Sequence, residues 1–208
     1  MICWTVSLLC WLDIPCCFNS ISSCPLRSST HSVLNVIHPL YPPPHLALIV
    51  TMFATKRLSK ELIKMQENLP PGITIAKCDT LEEWQMDIKI LDQNPLYLDQ
   101  TYRLKFTFNN KYPIEPPEVQ FIQCPASTGT PRTIPMHPHI YSNGIICLDL
   151  LGSAGWSPVQ TVESVCMSLQ SMLTANNRDE RPAGDKEFIA TNRRRIRDIN
   201  FVYEDDNV

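Results

Sequence analysis

Residues 84–108 read WQMDIKILDQNPLYLDQTYRLKFTF, and the alternation inside them decides the fold. Trp84, Met86, Ile88 and Ile90 alternate with polar residues, and Tyr102, Leu104, Phe106 and Phe108 do the same. A period of two is that of a strand with one face buried. Val119 and Phe121 begin a third such run. Short connections between alternating runs predict an antiparallel meander, because parallel strands need long crossovers.

Working outward, the period changes to that of a helix on both sides. Upstream, Leu58, Leu62 and Met65 share one face at i, i+4 and i+7, and Thr55 is placed to cap a helix running through about Glu67. Arg57, Lys60 and Lys64 share another face, and Leu69-Pro70-Pro71-Gly72 stops the helix. Downstream of Pro158, Val162, Val165, Cys166, Leu169, Met172 and Leu173 recur at helical spacing. A helix, a meander and then helices make an α+β domain.

The remainder of the 208-residue chain is read as appendage. Residues 1–51 contain one acid and one base, Asp13 and Arg27, and the run Tyr41-Pro42-Pro43-Pro44. They read as a non-globular extension, or as the product of a start placed upstream of the true one. A signal peptide fits poorly: Ile2 to Leu12 is largely apolar, but no basic n-region precedes it and no A-x-A-like site follows. The core is placed at 52–180, and 181–208 is expected to be a mobile charged segment, with Arg193-Arg194-Arg195-Ile196-Arg197 followed by acids at 204–206. A net charge of −3 argues for neither nucleic acid nor a membrane surface as partner. No apolar run approaches the roughly 20 residues of a membrane span. Four of the nine cysteines, Cys78, Cys124, Cys147 and Cys166, lie far apart, form no CxxC-type metal pair and fit a reducing, cytoplasmic or nuclear compartment.

One of those four stands apart. Residues 137–158 read HPHIYSNGIICLDLLGSAGWSP, which sets Cys147 behind the turn dipeptide Asn143-Gly144 and ahead of Trp156. A free cysteine is usually a buried apolar group, and Cys78, Cys124 and Cys166 are read that way. Cys147 lies on no periodic core element and is the candidate nucleophile. A thiolate is both a good nucleophile and a good leaving group, suited to receiving an acyl group and handing it on.

The stretch resembles the active-site signature of the ubiquitin-conjugating enzymes. There a His-Pro-Asn triplet precedes the cysteine, with its Asn eight residues upstream; here the triplet is His137-Pro138-His139, and 147 − 139 is again eight. Cys147-Leu148-Asp149 and Trp156-Ser157-Pro158 match as well, and the resemblance covers roughly residues 52–180. It implies a fold of an N-terminal helix, a four-stranded antiparallel meander sheet, an active-site loop and C-terminal helices. It also implies that Cys147 accepts the C-terminal carboxylate of ubiquitin as a thioester. His139 then stands where the family's Asn supports the loop and donates to the tetrahedral oxyanion, a task open to the single N–H of a neutral imidazole. A loop histidine that merely packs is the competing reading. By the same resemblance His137, Asn143 and Trp156 support the loop, and Arg57, Lys60, Lys64, Ile114, Ser157 and Pro158 form the ligase-binding surface. Ile114 lies in Tyr112-Pro113-Ile114-Glu115-Pro116-Pro117, whose prolines hold an apolar residue out of the core.

The implied partners are ubiquitin, its activating enzyme, RING- or U-box-type ligases and protein substrates with accessible N-termini. No cofactor or metal is expected, ATP being used by the activating enzyme. One branch of the family carries the same His-Pro-His triplet and transfers ubiquitin to N-terminal α-amino groups. Lys56-Arg57-Leu58, Pro70-Pro71-Gly72 and the tail from Arg181-Pro182 to Tyr203-Glu204-Asp205-Asp206 resemble it too. Asp179 and Glu180 fall near where lysine-directed members keep an acid, but are read as solvated charges. A lysine-directed enzyme, a silent binding module of the same fold and a cysteine hydrolase remain as alternatives.

Overall fold

The fold comes from a computed structural model that describes residues 44–199 and 201. Helix α1 spans Pro44–Glu67, followed by β1 (Ile73–Lys77), β2 (Glu83–Lys89), β3 (Thr101–Thr107) and β4 (Glu118–Ile122). Helix α2 spans Val162–Ala175 and the short α3 spans Asp185–Thr191. The four strands form one antiparallel sheet in sequence order.

Register explains why the alternating runs find one another. Trp84 faces Phe106, Met86 faces Leu104, and Ile88 faces Tyr102 across β2 and β3, while Leu104 and Phe106 face Phe121 and Val119 of β4. Every one of these side chains is buried, so a slip of one residue would turn the whole row to solvent. Each such burial contributes about 1.5–3 kcal/mol. The opposite face holds Asp87, whose carboxylate accepts from Arg103 directly across the ladder and from Arg132. Although burial opposes it, these two cations hold the Asp87 carboxyl below the usual range.

Helix α2 packs across β2 with Val162, Val165, Cys166, Leu169 and Leu173 buried. Thr161 caps it, and Thr161 and Ser164 form a reciprocal capping box. Buried Glu61 of α1 accepts from the Val162 N–H at 3.0 Å and from the Tyr112 hydroxyl at 2.8 Å. A carboxylate at a helix N-terminus complements the helix dipole. One side chain thus ties α1, the 112–117 loop and α2 together.

Two sequence expectations are corrected, and one strand of the expected four is located. The first helix does not begin at a Thr55 cap: it starts at Pro44, so residues 44–51 are helical rather than part of an irregular extension. Proline is at home in a first helical turn, and no Gly or Pro then interrupts the chain until Pro70. Strand β1 is absent from the alternation reading because its burial pattern is irregular, with a register shift between Ile75 and Lys77. The segment from Arg181, expected to be mobile, is docked as far as it is described: α3 forms, and Arg197 pairs with Glu118 and Glu115. Charge density alone suggested mobility, whereas the partners of Arg197 lie on β4 and in the proline-rich loop. The readings of residues 1–43 and of the acidic close at 203–206 lie outside the described residues.

Candidate active site

The stretch from His137 to Cys147 folds back on itself beside β4. Gln120 bridges Ile145, and the Phe121 N–H donates to the Gly144 carbonyl at 2.9 Å. Within the stretch, the Tyr141 N–H donates to Ile145 O at 2.9 Å, Ile140 bridges Ile146, and the Cys147 N–H donates to His139 O at 2.8 Å. The eight-residue spacing therefore has a geometric meaning: it sets His139 opposite Cys147 across an irregular hairpin. Asn143 and Gly144 make its turn. The Asn143 side chain accepts from the Ile145 N–H, and its carbonyl accepts from Gln120 Nε2. Gly144 has φ +88°, and a Cβ there would stand 1.9 Å from Phe121 O, so no other residue fits.

Buried Ile140 and Ile146 anchor the hairpin, and Cys147 emerges from it half-buried. Burial pushes its thiol up to about 11. Cys166 is fully buried on α2, and its thiol is pushed far up, chiefly by desolvation. Cys78 and Cys124 lie partly exposed, and none of these four cysteines is in a disulfide.

His137 is buried, its Nδ1 accepts from the His139 N–H at 2.9 Å, and the backbone of Met172 on α2 lies near enough to act on the ring. Desolvation above all, with the charges of His139 and Arg181, lowers its pKa to about 4. It is neutral at pH 7, and since Nδ1 accepts, the proton sits on Nε2. His139 is exposed, its ring 5.4 Å from that of His137, and among the described residues its ring makes no hydrogen bond. His139 pairs with Cys147 through the main chain, and a free imidazole N–H is a competent donor to an oxyanion.

Behind the thiol, Trp156 Nε1 donates to Pro113 O at 2.8 Å and its ring lies 6.2 Å from that of Tyr112. This joins the 148–156 loop to the proline-rich loop. Gly155 is packed so tightly on Asp149 that a Cβ would meet its carbonyl and carboxylate at 2.5 Å. Beyond the joint, Ile114 is 72% exposed and Val159 82%, with Pro158 exposed beside Ser157, whose carbonyl accepts from Gln160. Arg57 donates to Gln160 O at 2.8 Å and pairs with Glu61; Lys64 pairs with Glu163. The three expected pieces of the ligase surface thus connect, but of the basic face only Lys60 lacks an internal partner among the described residues.

Sequence reasoning missed the C-terminal contribution. Tyr141 stacks on Phe188 of α3 at 3.9 Å, and the Ser142 N–H donates to Asp185. A cleft of about 520 Å³ lies between the segment following Cys147 and residues 196–199 with Phe201, and Leu148, Asp149 and Arg197 are in its wall. The repeated aromatics at 141, 188 and 201 were the available signal, but nothing in spacing pairs residues so far apart. Asp179 and Glu180 are exposed, and Glu180 pairs only with Arg178, at 3.7 Å.

The family model described as ubiquitin-conjugating enzyme matches residues 57–197. The chain is 38% identical over 154 residues to a probable ubiquitin-conjugating enzyme E2 W of Dictyostelium discoideum, covering 74% of this chain and 96% of the relative. It is 35% identical over 158 residues to ubiquitin-conjugating enzyme E2 W of Caenorhabditis elegans, covering 74% and 97%. Among solved structures, the ubiquitin-conjugating enzyme UbcA1 from Agrocybe aegerita superposes with a TM-score of 0.61 at 40% identity, covering 67% of this chain and 94% of that one. The family match reaches past Arg181, in keeping with the docked C-terminal segment.

Proposed function

This chain belongs to the ubiquitin-conjugating enzymes, and from that premise we propose that Cys147 carries the ubiquitin thioester and delivers it to N-terminal α-amino groups. As a ubiquitin transferase it performs two acyl transfers. In the first, the Cys147 thiolate attacks the thioester carbonyl on the activating enzyme; a new C–S bond forms and the other enzyme's thiolate departs. In the second, an amine attacks the Cys147 thioester, the C–N bond forms, Cys147 leaves as thiolate, and the amine's proton passes to solvent. His139 is the donor to the oxyanion of the tetrahedral intermediate. Burial raises the proton affinity of the free Cys147 thiol, so the attacking thiolate is a minor species at neutral pH.

One observation carries the choice of acceptor: Asp179 and Glu180, the acids nearest to where lysine-directed members keep one, are both exposed, so burial does not turn either into a base for lysine. With reference values near 7.8 and 10.4, an α-amine is roughly 400-fold richer in its free form than lysine at neutral pH. A site without a base suits the acceptor that needs none. RING- or U-box-type ligases are the partners proposed for Ile114, Pro158 and Val159, an exposed apolar group held in place by prolines.

The test is single-turnover discharge of the charged enzyme followed by mass spectrometry. A lysine-free peptide with a free N-terminus should acquire ubiquitin, and an N-acetylated peptide whose only amine is lysine should react poorly. The reverse preference would make the enzyme a general lysine-directed member.

A further inference from the structure

We infer that Arg181 is a positioning residue for amine transfer, whose guanidinium clasps the main chain on both sides of His137–His139 and so holds the oxyanion donor in register with Cys147. The inference rests on the roles given above to Cys147 and His139.

The contacts are those of a fork on three carbonyls. Arg181 Nη1 donates to Pro135 O at 2.6 Å and to Ile140 O at 2.9 Å, and Nη2 donates to Ile134 O at 3.1 Å. Ile134 and Pro135 precede the triplet and Ile140 follows it, so one rigid group spans the turn. Only a planar guanidinium offers donors in that arrangement; a lysine is a single point. Among the described residues no carboxylate forms an ion pair with Arg181, although Asp179 and Asp185 lie near enough to act on its charge. The cation is therefore committed to main-chain carbonyls, and hydrogen bonds from a charged donor are about twice as strong as neutral ones.

A second strut runs parallel to it. The Tyr97 hydroxyl donates to Met136 O, and Asn176 Nδ2 donates to that hydroxyl. The Ile140 N–H closes the turn onto His137 O at 3.0 Å, and His139 O receives the Cys147 N–H. Displacing Ile140 therefore displaces its neighbour His139, the proposed oxyanion donor. A misplacement of about 1 Å in such a constellation can cost 10²-fold in rate. Thiol-for-thiol exchange is less exposed to that loss, because the incoming thiolate carries no proton to shed at the moment of attack.

Arg181→Met removes all three donors while keeping much of the volume, and Arg181→Lys keeps the charge without the fork. Each is charged by the activating enzyme and chased with the lysine-free peptide. Charging is expected within about threefold of the parent, with discharge slowed about ten- to a hundredfold in Arg181→Met and less in Arg181→Lys. Because Arg181 acts through the His139 turn, the double variant Arg181→Met/His139→Ala should discharge no more than about threefold more slowly than His139→Ala alone. Parental discharge, equal slowing of both steps, or fully additive losses in the double variant would overturn the inference. If circular dichroism shows Arg181→Met to be unfolded, Arg181→Lys carries the same comparison, with parental discharge counting against the proposal. A His139→Ala enzyme that discharges normally overturns the underlying reading as well. A slow His139→Ala beside normal Arg181 variants removes Arg181 alone.

Discussion

The β2–β3 meander and the His137–Cys147 hairpin belong to one sheet-like surface, yet different forces hold them. Trp84, Met86, Leu104 and Phe106 are wholly buried, and their strands are specified by rows of apolar contacts. The hairpin buries Ile140, Ile145 and Ile146, and otherwise depends on single atoms: one turn glycine, one imidazole nitrogen, a few carbonyls. A core of many small contacts weakens in proportion to the volume lost. A shelf built from individual hydrogen bonds fails at whichever one is removed. The first region makes the protein stable, and the second is where we propose its catalysis.

The sharpest way to break that contrast uses two cysteines. Cys147→Ala should abolish the ubiquitin thioester, while Cys166→Ala, deep in α2, should charge normally and lose only stability. A reducible ubiquitin adduct on Cys147→Ala, seen on a non-reducing gel, would move the nucleophile elsewhere. Next in size, Leu104→Ala should cost about 2–5 kcal/mol in denaturant unfolding without a selective loss of transfer at 25 °C. Gly144→Ala should show the opposite balance, because its Cβ would collide with Phe121 O in the hairpin turn. Gly144→Ala with parental charging and discharge would end the distinction between the regions.

A smaller effect is expected at the edge of the site. Ile114→Ala should leave charging intact and weaken ligase-stimulated discharge by about 2 kcal/mol, roughly 30-fold. Equal stimulation of mutant and parent would remove Ile114 from the interface. The mildest test is pH. His137 is held neutral in the fold, with a pKa of about 4 against an ordinary 6.5. A lowered folded value means that its contribution is fully present above pH 6.5 and declines as pH falls toward 4. Unfolding free energy measured over that window should slope less steeply in His137→Gln than in the parent. Parallel slopes would mean that the ring is not held in its neutral form.

Some residues revealed their places directly and others could not. Burial of alternate positions wrote β2, β3 and β4 into the chain, and the buried stripe wrote α2. The irregular pairing of β1 left no alternating pattern to read. For α1, Thr55 is a good capping residue, but the chain upstream of it contains nothing that would stop a helix until Pro44. Cys147 was separable from the other cysteines by its turn dipeptide and spacing. Arg57 and Lys64 read as part of an exposed ligase-binding face; their partners, Gln160 and Glu163, lie about a hundred residues away.

What the sequence determined by itself was local: periodicity, turn chemistry, and the interval between His139 and Cys147. These follow from bond geometry and the burial of neighbours, which act over a few residues. Only the tertiary structure decided how that interval is used, by pairing the His139 carbonyl with the Cys147 N–H, seating His137 on α2 and bringing Arg181 under the turn. Those contacts join residues with no fixed separation along the chain. Their donors and acceptors meet because the packed core carries them there, and no local pattern encodes that meeting.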